Sequence, residues 1–182
     1  MSLKIDYSLT ENDFLEFQMY FSLRSKQHSS QRKKAKILTS IVLGAIGYYF
    51  AIIEAKTIGY AYLAAGTLFL IFYNRYSYWK YKRHFIKHIR EHRKGLIGLT
   101  LTLELQGDQI LSSSDDSDGA LSVSSVENIV ELETVYVVAF KQSSHIIIPK
   151  NNILSGNPEA VIKNLSQSTN LPIEDGRNLK WK

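Results

Sequence analysis

Three histidines, His84, His88 and His92, stand four residues apart in the most basic stretch of the chain, Lys80 to Gly95, "KYKRHFIKHIREHRKG". On a helix that spacing sets the imidazoles one above another on a single face, where they are available as metal ligands. The neighbours oppose this use. Lys80, Lys82, Arg83, Lys87, Arg90, Arg93 and Lys94 surround the rings with positive charge, and only Glu91 is near enough in sequence to offset it. We therefore read no metal and no cofactor here, and take the three histidines as a pH-sensitive face that gains charge on acidification.

Two further clusters carry chemically capable residue types. Asp115, Asp116 and Asp118 before Gly119 resemble part of a calcium loop. The alternation of ligands is incomplete and no glutamate closes the loop, so a solvated turn is expected. Ser143 and Ser144 beside His145 supply a nucleophile and a base by type, but neighbours on a hairpin strand face opposite ways. The chain has no phosphate-cradling glycine loop, nucleophile elbow or metalloprotease motif. It reads as a protein that is not an enzyme.

The elements that position these residues begin with two apolar blocks. Ile37 to Ile53, "ILTSIVLGAIGYYFAII", runs 17 residues without a charge, and Ile58 to Tyr73, "IGYAYLAAGTLFLIFY", runs 16. As helices they would be roughly 24 to 26 Å long at about 1.5 Å per residue, close to the thickness of a bilayer core. Each is apolar all round, which favours a membrane hairpin over the striped helices of a soluble core. Small residues Gly44, Gly47 and Ala51 in the first block and Ala61 and Ala65 in the second are expected to let the helices approach closely.

Charge sets the expected orientation. Met1 to Lys36 holds seven Lys or Arg against four acids, and Asn74 to Gly95 holds eight against one. Both flanks, and with them both termini, are placed in the cytoplasm, giving a multi-pass protein of the cell inner (plasma) membrane. Arg32, Lys33, Lys34, Lys36, Arg75, Lys80, Lys82, Arg83 and Lys87 are the residues expected to contact anionic lipid headgroups. Leu96 to Lys182 has six bases against eleven acids, so the formal charge of +5 is a property of the membrane flanks. Without a basic folded face or a reading motif, nucleic acid is not expected as a partner. The chain has no cysteine, so it forms no disulfide.

Outside the hairpin the period changes. "LKIDYSL" alternates like a half-buried strand, and the following helix is announced by Thr10 as cap, Asp13 three residues on, and Leu9 facing Phe14. "GLTLTLEL" and "DQILSSS" predict strands, as do Ile129 to Glu133, Val135 to Lys141 and Ser144 to Pro149. "NPEAVIKNLSQS" predicts a helix with Asn157 as cap and Pro158 at its first position. The expected fold class is an α+β membrane protein: a two-helix transmembrane hairpin with a cytosolic antiparallel β-domain closed by a C-terminal helix. Its divisions are 1–36, a strand and amphipathic helix; 37–73, the hairpin; 74–95, a basic juxtamembrane helix; and 96–182, the β-domain. The N-terminal strand is available to join that domain's sheet.

The opening "IDYSLTENDFLEFQMYFSLRS", the close pair of spans and the strand pattern ending in "IIIPKNNI" resemble the YcxB-like membrane proteins of bacteria. The resemblance implies a cytosolic domain related to pleckstrin-homology-like sheets, tethered by a helical hairpin, and supplies no catalytic residues. The expected function is a membrane-anchored interaction or regulatory module, with anionic lipid on its basic flanks and a protein partner or second copy on its acidic domain. A membrane immunity role belongs to the same class. The alternative is a subunit of an oligomeric transport or channel assembly, which the absence of ionisable residues within the apolar blocks disfavours.

Overall fold

The computed structural model describes residues 3–53, 55–114, 117–178 and 181, with the backbone alone at 117. Contacts divide it into two compact units. Residues up to 20 and those from 85 to 178 form a β-domain, while residues 21–84 with Trp181 form a helical hairpin.

In the β-domain the first strand, β1 (Leu3–Ser8), is internal to a sheet made otherwise of residues far along the chain. It pairs antiparallel with β2 (Thr100–Gln106) in the register Leu3 to Leu105, and on its other edge with β8 (Ile153–Ser155). β3 (Gln109–Ser114) and β4 (Ser117–Ser122) extend this sheet to the order β4-β3-β2-β1-β8. Alternation dictates the inward face: Ile5, Tyr7, Leu103 and Leu105 are buried, while Lys4 is exposed and Asp6 and Thr102 are half-buried. Asp6 ties its neighbours together from the other face, accepting hydrogen bonds at 2.6 Å from both Thr102 Oγ1 and Ser155 Oγ.

A second sheet has the order β7-β6-β5-β9, from β5 (Val126–Glu131), β6 (Val135–Phe140), β7 (His145–Pro149) and β9 (Ile173–Asp175). β6, "VYVVAF", is buried at every position but Ala139, the continuous apolar pattern of a strand covered on both faces. The architecture is thus two sheets where the sequence suggested one. β9 also departs from expectation by running parallel to β5, pairing Ile129 with Ile173.

Helix α1 (Glu11–Arg24) begins on the expected capping box, with Asp13 in the place usually taken by glutamate. The Thr10 N–H and Oγ1 donate to Asp13 Oδ2 at 2.8 and 2.7 Å, and the Asp13 N–H donates to Thr10 Oγ1. One turn on, Glu16 accepts from the N–H groups of Glu133 and Thr134 at 2.6 and 3.0 Å and from Thr134 Oγ1, so the helix holds the β5–β6 turn. Helix α4 (Pro158–Thr169) starts where Asn157 Oδ1 accepts from the Glu159 and Ala160 N–H groups, and ends on Asn170 in the left-handed conformation. Its buried stripe is Val161, Ile162 and Leu165. It packs on β1 of one sheet and β5 of the other, closing the two sheets over their common core.

The hairpin is built from α2 (Lys26–Ile52) and α3 (Lys56–His92). Ser25 breaks α1 from α2 and caps the latter, accepting from the His28 N–H. The basic stretch expected as a separate helix over 74–95 is instead the continuation of the second apolar block within α3. No helix break separates them because Asn74 to His92 contains neither proline nor glycine.

Candidate functional site

The helices of the hairpin meet through glycine. A Cβ on Gly59 would lie 2.7 Å from the Ala51 N and 2.8 Å from the Gly47 O, and one on Gly47 would lie 2.9 Å from Leu63 Cγ. Gly66 faces Leu43 and Ser40. Gly47 and Ala51 therefore serve as expected, but Gly44 has no atom within 4 Å of its Cβ position, and Ala61 and Ala65 are exposed. Spacing within one helix names a stripe of small residues; the facing helix decides which of them lie in the contact.

Beyond this seam the apolar surface stays outside. Both helices are long and apolar enough to cross a membrane, and of their most apolar 18-residue windows only 6% in α2 and 11% in α3 is buried. Ile37, Leu38, Ile41, Ile52, Leu68 and Ile71 are all more than half exposed. Aromatic side chains recur along α3, from Tyr60 and Tyr62 near its start through Phe69, Phe72 and Tyr73 to Tyr76, Tyr78 and Trp79.

Of the basic residues expected at headgroups, Lys33, Lys34, Arg75, Lys80, Lys82, Arg83 and Lys87 are exposed and Lys36 is half-buried. Arg83 lies over the Trp79 ring at 5.4 Å, and Lys87 pairs with Glu91 at 3.7 Å. Arg32 stands apart from these lysines and arginines, because it is only 5% exposed. Its Nη1 donates to Ser22 O and Oγ at 3.2 and 3.4 Å, and its guanidinium lies 4.4 Å from the Trp181 ring centre and 5.7 Å from that of Tyr81. Two flat rings desolvate the cation while satisfying its faces, which no reading of Arg32 among its lysine neighbours reveals.

His84, His88 and His92 are exposed on α3, as the spacing requires. The rings of His88 and His92 stack at 4.6 Å, and His92 Nδ1 lies 3.2 Å from the His88 carbonyl. Among the described residues no group of three histidines or acids gathers as a metal-binding set. Asp115 and Asp116 lie outside the described residues. Asp118 and Gly119 corrected the expected turn by standing within β4, paired with Ser113 and Ser112.

A cleft of about 440 Å³ opens in the β-domain, lined by Tyr7, Phe17, Gln18, Ser112, Ser144 and His145 among others. Gln18 Oε1 and Ser144 Oγ are buried there without a hydrogen-bond partner. Ser144 Oγ makes no hydrogen bond to the neighbouring His145. The His145 ring packs on Phe17 at 5.3 Å, and burial holds its pKa below the usual histidine range. Sequence reasoning named Ser144 and His145 but missed Gln18, which enters the cleft from α1. Its signal was a polar side chain one position from Phe17, too common to weigh.

Comparison with protein-family models, with curated proteins and with solved structures gives no match.

Proposed function

We propose that this chain is a membrane-anchored, non-catalytic interaction module of the bacterial inner membrane. The observation that carries the reading is the exposure of two helices apolar enough to span: a soluble core helix would bury most of its apolar window, whereas these bury 6% and 11%. In this reading the hairpin crosses the bilayer twice and both termini are cytoplasmic, as the excess of Lys and Arg on both flanks favours. Lys33, Lys34, Lys36, Arg75, Lys80, Lys82, Arg83 and Lys87 grip anionic headgroups, with His84, His88 and His92 exposed on the same flank.

The β-domain then presents a net acidic surface and a cleft to a protein partner. Its two sheets closed by a C-terminal helix are consistent with the pleckstrin-homology-like domain that the YcxB-like resemblance implies. The test has two parts. Alkaline carbonate should leave the full chain in the membrane pellet, and release into the supernatant overturns the anchoring. A reporter fused after Lys182 should be active in its cytoplasmic form only; activity confined to a periplasmic reporter overturns the orientation.

A further inference from the structure

The hairpin does not close along its whole length. From the glycine seam toward its basic end the helices part around a cavity of about 650 Å³ whose lining includes Arg32, Ser77, Lys80, Ala35, Phe69 and Phe72. The polar end of this cavity is chemically incomplete. Arg32 is 5% exposed and Ser77 3% exposed; Arg32 Nε is buried without a hydrogen-bond partner, and Ser77 Oγ is buried beside Tyr73. Trp181, stacked on Arg32, has a buried Nε1 that also lacks a hydrogen-bond partner. Among the described residues Arg32 donates to the neutral Ser22 and lies against the two rings, and no carboxylate pairs with it.

A buried guanidinium without a counter-charge is costly, and the unpartnered Arg32 Nε and Trp181 Nε1 can only donate. The missing partner is an oxyanion. Its other end is set by the lining. Along α2 the wall passes from Arg32 to Ala35 and Thr39, and along the antiparallel α3 from Lys80 and Ser77 through Tyr76 and Tyr73 to Phe72 and Phe69, so both cations lie at one end and the phenyl rings at the other. From Ser77 to Phe69 is about 12 Å at about 1.5 Å per residue, the length of a headgroup region with the start of an acyl chain. Arg32 and Ser77 also lie just outside the apolar blocks that end at Ile37 and Tyr73, the depth at which lipid phosphates sit.

We propose that this cavity is a binding site for one anionic phospholipid, with its phosphate on Arg32 and Ser77 and the first part of its chain against Ala35, Phe69 and Phe72. The site rests on the membrane reading above and goes beyond it: a single lipid is held by a built pocket, in addition to the diffuse attraction of the exposed lysines. Arg32 is a guanidinium because its planar donors and weak hydration suit a buried phosphate, and Tyr81 and Trp181 hold its plane.

The test uses the full chain in mild uncharged detergent with Trp79→Phe, which leaves Trp181 as the reporter beside Arg32. Short-chain phosphatidylglycerol, phosphatidylcholine of the same chain length and inorganic phosphate are titrated separately while Trp181 emission is followed. Phosphatidylglycerol should bind saturably and at least about tenfold more tightly than phosphatidylcholine, since a hydrogen-bonded charge is at stake. Inorganic phosphate should not saturate in the same range. Arg32→Gln should lose at least about tenfold in affinity and Lys33→Gln should lose little. Equal binding of the two lipids, or an Arg32→Gln variant that binds like the parent, overturns the proposal. Phosphate binding as tight as the lipid overturns the lipid in favour of a free anion. If Arg32→Gln does not fold, Ala35→Leu, which fills the cavity wall without adding a tryptophan, should abolish lipid saturation; undiminished saturation overturns the site. Carbonate extraction reports the anchoring separately, so a chain that stays in the membrane yet fails the titration loses only this proposal.

Discussion

Gly59 and Gly47 touch backbone to backbone: a Cβ on Gly59 would stand 2.8 Å from the Gly47 carbonyl oxygen and 2.7 Å from the Ala51 nitrogen. Neither neighbour is the end of a flexible side chain, so the contact admits no Cβ without moving a helix. This seam fixes one end of the hairpin, and toward the basic end the same two helices flank the cavity at Arg32.

Gly59→Ala should therefore separate α2 and α3 and lower the Tm of the full chain in detergent by several degrees. Gly44→Ala, with open space around its Cβ, should leave Tm unchanged or raise it slightly, because alanine favours the helix by about 0.5–1 kcal/mol. Thermal unfolding followed by circular dichroism compares the two. Equal effects at both positions would mean that helix propensity, and not the close approach, governs Gly59.

Glu16 should be the main tie between α1 and the β5–β6 turn, since it alone accepts from the Glu133 and Thr134 N–H groups. Glu16→Ala should cost about 1–3 kcal/mol, the usual loss when donors forfeit a charged acceptor. Amide hydrogen exchange should quicken at Glu133 and Thr134 first. Unchanged protection there would contradict the role.

Asp6 should make the β-domain sensitive to acid. Hydrogen bonds from Ser155 and Thr102 hold its carboxyl below the ordinary value of 3.8. A pKa lowered in the folded state contributes stability that is present above the unfolded pKa and is lost as pH falls through the folded one. Asp6→Asn should thus unfold more easily than the parent at pH 7, and the gap should narrow below the ordinary aspartate range. A gap independent of pH would point to lost geometry alone.

Ser144→Ala should be nearly neutral, within about 0.5 kcal/mol of the parent, because the hydroxyl it removes is buried without a partner. Chemical denaturation measures the difference. A loss well above 1 kcal/mol would show that the hydroxyl is satisfied by a ligand or water in the cleft.

What the sequence determined by itself was whatever depends on residues a turn or two apart. The Thr10–Asp13 box, the Asn157 cap with Pro158 behind it, the inward alternation of Ile5 and Tyr7, and the all-round apolarity of the two blocks are local, and each appears where the spacing put it. Tertiary structure alone decided the rest. β1 sits between β2 and β8, pairing Leu3 with Leu105 and Asp6 with Ser155, and such register is set by a whole sheet's packing. The short strands β8 and β9 were illegible because three residues carry no period. Gly59 and Gly66, not Ala61 and Ala65, face α2, because the partner helix chooses the face. Arg32 stands in a run of bases that looks uniformly solvated, yet its burial depends on Ser22, Tyr81 and Trp181, and the last of these is 149 residues away. A cation's neighbours in sequence give its field; only its neighbours in space give its solvation, and solvation is what turns one arginine of a basic flank into a site.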